Sequence, residues 1–286
     1  MNGIFIVDKP QGWTSQDVVS KLRGVFKTRR IGHGGTLDPM ATGLLPVFVG
    51  RATRGVEFFE HAEKTYEAVL RLGLHTDTED ITGTILAEKE VNITEQQFLS
   101  TLESFRGEIQ QIPPMYSAIK INGQKLCDLA RKGREVERQS RTITIFRLEC
   151  LEFSGNTARL LVHCSKGTYI RTLCKDIGQA LGCGGCMESL RRVTAGEYTI
   201  ENSVPLQTLI ESPDPGAYLL SVDSMFQQYP AVILTEKQEK CCRNGVAFTT
   251  NLPDGTYRVY AQNSEFLALS HMVEGKLTTI KSFWAV

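Results

Sequence analysis

The chain has 286 residues, 41% hydrophobic and 22% charged, a balance that excludes a disordered or fibrous protein and leaves room for one large domain plus a small one. Its 32 basic and 32 acidic side chains cancel, which argues against a general nucleic-acid coat but permits a local basic surface. No apolar run approaches the roughly 20 residues that cross a membrane. Residues 1–8 lack a basic start and meet Asp8 too early for a signal peptide, so a cytoplasmic protein is expected.

The predicted elements begin with a strand at residues 3–7. A turn through residues 8–15 leads to a helix with Ser15 as N-cap and Val18, Val19, Leu22, Val25 and Phe26 on one face. Five basic residues and no acid lie between Lys21 and His33, a run that suits either a solvated helix face or an RNA groove. A glycine-rich loop, residues 32–45, runs into an apolar strand ending at Val49. Residues 65–73 alternate as a half-buried strand with Tyr66 on its inner face. The acidic run at residues 76–80 lacks the spacing of a calcium loop and reads as a solvated loop.

Thr94 to Gln97 is a capping box opening a helix, and residues 124–132 suggest a second one within another basic stretch. Two strands, residues 142–153 and 157–164, flank Ser154-Gly155-Asn156 as a hairpin. Residues 169–181 are then helical. The proline-bearing stretch 202–230 reads as irregular, with a boundary at residues 227–230. Beyond it come a helix at 235–243 and strands at 255–261, 266–273 and 277–284. The expected class is α+β with a mainly antiparallel mixed sheet, divided into residues 1–229 and a small β-rich module, 230–286.

Eight cysteines in a chain able to build its own core are expected to be free thiols. The lone Cys183–Cys186 pair lacks the partner pair that structural zinc needs, so no metal is expected.

Chemistry concentrates in residues 32–45, GHGGTLDPMATGLL. Four glycines and Pro39 hold one carboxylate, Asp38, in a tight loop just before a strand, although an isolated Asp-Pro is more often only a turn. Four further segments stand with it: DKPQGWTS at 8–15, KTY at 64–66, QIPPMYSAIK at 111–120 and HCSKGTYIRT at 163–172. In this order the five closely resemble the TruB-type tRNA pseudouridine synthases, over roughly residues 3–192. Gly34 and Thr36 depart from the loop pattern only where the family itself varies.

The resemblance implies a pseudouridine synthase fold and makes Asp38 the nucleophile, with Arg171 set against its carboxylate. It makes Tyr66 a stacking platform for a flipped uracil and a candidate base for the C5 proton. Tyr169 and Leu190 match further pocket positions, which by pattern alone are core. His33 matches an imidazole that takes the place of the extruded nucleotide. Lys9, counted with the substrate-binding residues, buttresses the Asp38 loop with Pro10. The isomerisation gains and loses no atoms or electrons, so no cofactor is implied.

The C-terminal module is similar, by pattern and position, to a PUA-like RNA-binding domain with a pseudobarrel fold. The implied substrate is the T-loop uridine at position 55 of tRNA, recognised through the T-arm stem-loop by a monomer needing no protein partner. The alternatives are a guide-dependent synthase core and an RNA-binding or tRNA-folding protein.

Overall fold

Strand Gly3–Lys9 is apolar and buried from Ile4 to Val7, and its neighbour Thr42–Val49 is buried from Gly43 onward. Continuous apolar strands form where a sheet is covered on both faces, and alternation then divides their side chains between two cores. Phe5, Val7, Leu45, Val47 and Val49 join one core with Val18, Val19 and Leu22 of the helix Ser15–Phe26. Ile4, Ile6, Leu44 and Phe48 join a second core on the opposite face. Strand Lys64–Leu72 alternates strictly and sends Tyr66, Ala68, Leu70 and Leu72 into the first core.

The computed structural model describes residues 1–121 and 123–284. Its main sheet runs, edge to edge, through Val204–Pro205, Gly3–Lys9, Thr42–Val49, Gly185–Ala195, Lys64–Leu72, Thr157–Cys164, Arg141–Phe153 and Gly107–Gln111. Two pairings are parallel, Gly3–Lys9 with Val204–Pro205 and Thr42–Val49 with Gly185–Ala195. The rest are antiparallel, as the α+β expectation required. The parallel junction at the sheet's centre aligns Arg191 with Thr42 and Arg192 with Gly43, directly beside the Asp38 loop.

Several sequence expectations need correction. Thr14, not Ser15, caps the first helix: its hydroxyl accepts from Asp17 N at 3.0 Å while the Asp17 carboxylate accepts from Thr14 N at 2.9 Å. The expected helix at 124–132 shortens to Leu126–Ala130, because Gln124–Lys125 pairs with Lys120–Ile121. Strand Gly185–Ala195 was not anticipated, since irregularities at Met187/Ser189 and Arg192/Thr194 break its period-two pattern. The stretch taken as irregular contains the helix Leu206–Glu211, anchored by buried Leu206 and Leu209.

The C-terminal sheet has the order Ala231–Ile233, Gly255–Tyr260, Phe266–Val273, Lys276–Ser282 and Phe248–Thr249, with the helix Glu236–Arg243 beside it. Leu234, Val259, Leu267, Met272 and Leu277 make its own core. Leu269 and Phe283 instead join Phe48, Phe59 and Phe226 in the second core of the main sheet. The two sheets are separate, but they share that apolar cluster.

Candidate active site

The Asp38 loop owes its shape to glycines in close quarters and to three anchors. A Cβ at Gly34 would stand 2.6 Å from the Phe59 ring and 2.8 Å from Phe48. Gly43 has φ +99°, and a Cβ there would stand 2.3 Å from the carbonyl of Arg192. The first anchor is Ser15, freed from capping, whose buried hydroxyl accepts from Leu37 N at 2.8 Å. The second is the backbone of Gly12, donating to Pro39 O at 2.8 Å.

The third anchor is Lys9. It is fully buried and its ammonium donates to the carbonyls of Pro10 at 2.9 Å, Trp13 at 2.6 Å and Pro39 at 3.5 Å. Burial pushes its pKa down to about 8, against the opposing pull of Asp38. With those donors directed to three loop carbonyls, Lys9 buttresses the Asp38 loop from beneath.

Asp38 meets Arg171 across 133 positions of chain. Arg171 Nε lies 2.9 Å from Asp38 Oδ2, and Nη2 lies 3.4 Å from Oδ1. Arg171 is only 5% exposed, so its remaining donors must also be satisfied. Nη2 donates to Tyr116 O at 2.8 Å and Nη1 to Thr78 O at 3.1 Å, with Asp80 Oδ2 3.9 Å from Nη1. Arg171 opens the helix Ile170–Ala180, whose start is pinned by the buried amide of Gln111. That amide accepts from Tyr169 N at 2.8 Å and donates to Tyr169 O at 3.1 Å.

Burial raises the Asp38 pKa above the ordinary carboxylate value; Arg171 opposes this and Asp80 adds to it. The guanidinium therefore offsets the burial without overcoming it. Residues 76–80, expected as a solvated loop, are folded inward: Thr76, Glu79 and Asp80 are all buried. Asp80 accepts from Thr78 and Thr82 hydroxyls at 2.9 and 2.6 Å, which orders the turn facing Arg171. Among the described residues, no cluster of His, Cys, Asp and Glu has the arrangement of a metal site.

Tyr66 and Leu190 lie on neighbouring strands in the same core, and Tyr66 is aligned with Arg192 across the ladder. Burial raises the Tyr66 phenol pKa, with Arg192 beside it pulling the other way. The ring is thus a neutral phenol at physiological pH, suited to stacking and unfavourable as a ready-made phenolate base. Burial likewise raises the half-buried Tyr169 phenol.

His33 ends the strand Ile31–His33, and burial followed by the charge of Arg192 lowers its pKa, leaving a neutral imidazole. Its buried Nδ1 has no hydrogen-bond partner among the described residues. Arg192 itself escaped the sequence reading. It is 1% exposed and donates to Leu44 O at 2.7 Å and Gly35 O at 3.2 Å, tying the central strand to both ends of the Asp38 loop.

A family model described as "TruB family pseudouridylate synthase (N terminal domain)" matches residues 23–170, more than half the chain. The chain belongs to the TruB family. A second TruB model, "tRNA pseudouridylate synthase B C-terminal domain", matches residues 171–223, so the C-terminal sheet lies beyond both. The chain is similar to the tRNA pseudouridine synthase B of Clostridium acetobutylicum, 42% identical over 98% of this chain and 99% of that one. The enzyme of the same name from Dechloromonas aromatica is 46% identical over 92% and 89% of the two chains.

Among solved structures, a chain of a Cbf5-Nop10-Gar1 complex is 26% identical with a TM-score of 0.74, covering 99% of this TruB-family chain and 85% of that one. A chain from an H/ACA RNP bound to a substrate RNA has the same TM-score at 23% identity and shares the fold. As a pseudouridine synthase of this family, the protein is an isomerase.

Proposed function

We propose that this chain is a tRNA pseudouridine synthase that isomerises the T-loop uridine at position 55, with Asp38 as nucleophile. The observation that carries the reading is the Asp38 carboxylate held at both oxygens by a buried Arg171, at 2.9 and 3.4 Å. In the reaction the N1–C1′ bond breaks, the uracil turns, a C5–C1′ bond forms, the C5 proton leaves and N1 takes up a proton, so atoms and electrons are conserved. An ionised Asp38 supplies the transient covalent bond, and Arg171 orients the carboxylate and favours its charge.

Tyr66 offers its ring face to the extruded uracil, with Tyr169 and Leu190 closing the pocket. His33 presents a neutral imidazole ring to the unstacked T-loop. Residues 1–229 carry this chemistry, and residues 230–286 act as a PUA-like RNA-binding part. We place the enzyme in the cytoplasm, working as a monomer without a partner protein or cofactor. Among the described residues, no helix is long and apolar enough to cross a membrane.

The test is to incubate the purified protein alone with an unmodified tRNA transcript and map pseudouridine. Product at the T-loop uridine is expected. No product without added guide RNA and partner proteins, or product at a different site, would overturn the reading.

A further inference from the structure

Glu79 sits between Thr78 and Asp80, two of the residues that face Arg171, yet its own side chain engages the Arg171 helix elsewhere. Its backbone has φ +64°, a conformation that favours glycine, so a position needing only a turn is best served by glycine. The carboxylate it carries instead is buried and fully engaged. Oε2 accepts from Thr172 Oγ1 at 2.6 Å, and Oε1 accepts from Lys175 Nζ at 2.7 Å. Lys175 also stands 3.7 Å from Asp176. The Glu79 carbonyl accepts from Met187 N at 3.0 Å, so the residue touches the central strand as well.

Thr172 and Lys175 both lie on the helix that Arg171 opens. We propose that Glu79 is a positioning residue. It fastens the loop bearing Thr78 and Asp80 to the Arg171 helix, so that the guanidinium is held square to Asp38. Strained backbone is retained where the surrounding structure uses the side chain, and here the use is a tie between the loop that faces a buried arginine and that arginine's own helix. This inference rests on the reading of Asp38 as nucleophile for its kinetic part, but its geometric part does not.

The test compares full-length wild type with Glu79→Gly and Glu79→Gln. Glycine relieves the left-handed backbone and removes the tie; glutamine keeps an acceptor for Thr172 and loses the charge facing Lys175. On unmodified tRNA transcript, Glu79→Gly is expected to lose about tenfold or more in kcat with KM within about threefold, and Glu79→Gln to lose less. The acidic limb of the pH–rate profile should move upward as Arg171 loosens. Asp38 is faced by Arg171, Asp80, Lys9 and the phenols of Tyr66 and Tyr169, and Arg171 is the strongest of them opposing its burial.

Independently of turnover, a ¹³C NMR titration of the Asp38 carboxyl in the free protein should shift upward in Glu79→Gly. Glycine turning over like wild type with an unchanged profile would mean the position is a turn alone, and the proposal fails. If wild type itself modifies no tRNA, the functional reading fails. The titration then still decides the positioning role, since an unmoved Asp38 in a folded Glu79→Gly protein overturns it.

Discussion

Asp38 and Arg171 are 133 positions apart in sequence, and only the resemblance of their two segments to one family joined them before the fold was known. Arg192 and Asp80 were not legible. Arg192 lies on a strand whose irregularities hide which face it occupies, and Asp80 sits in an acidic run that resembles solvated loop. The geometry separates charge from shape at Arg171, because its planar fork serves Asp38, Thr78 and Tyr116 at once. In Arg171→Lys the positive charge survives and the fork does not, so kcat should fall while the acidic limb stays nearly in place. In Arg171→Met the largest force opposing the burial of Asp38 is gone. With Asp38 as the proposed nucleophile, activity is lost as pH falls through its pKa, so that limb should move upward, with a larger loss of kcat. Wild-type profiles for both variants would show that Arg171 is not the partner of Asp38.

The strictly alternating strand Lys64–Leu72 and the capped helix Glu95–Glu103 were readable because one face of each is buried at a regular period. The capping assignment failed by one residue, and the failure is informative. Thr14 and Ser15 are adjacent hydroxyls with different duties: Thr14 closes the capping box, and Ser15 holds Leu37 beside Asp38. Sequence pattern cannot separate them, since either can begin the helix. Thr14→Ala should cost about 0.5–2 kcal/mol of stability with kcat little changed. Ser15→Ala should lower kcat more than its effect on stability accounts for. Paired urea titrations and kinetics distinguish the two, and equal kinetic losses would contradict the division of labour.

Turn signals and short strands suggest a boundary near residue 230, and a separate sheet has its first strand at Ala231–Ile233. What the pattern could not show is that this sheet lends Leu269 and Phe283 to the core behind the main sheet. Phe283 packs against Phe226 and Phe266 with ring centroids 5.8 and 5.4 Å apart. The hydroxyl of Tyr260 donates to Asp223 at 2.6 Å, and Arg258 donates to Tyr229 O at 2.9 Å, both joining the sheet to the preceding segment. Removing everything after Pro230 therefore uncovers aromatic core. The two sheets should unfold in one transition that Phe283→Ala weakens by about 3–5 kcal/mol. A separate melt of the C-terminal sheet, leaving the main sheet's midpoint unmoved by Phe283→Ala, would show that the cores are independent.

Asp38→Asn tests the nucleophile most directly, because it preserves the shape of the side chain and removes the charge. Burial raises the Asp38 pKa in the folded chain, so the ionised form costs stability at neutral pH and that cost disappears below the ordinary carboxylate range. The variant should accordingly be at least as stable as wild type at pH 7, with the difference closing on acidification. Pseudouridine mapped after prolonged incubation with tRNA, alongside equilibrium binding of the same tRNA, is the deciding measurement. The account expects no detectable product with binding retained; product formed at more than about one tenth of the wild-type rate would contradict it.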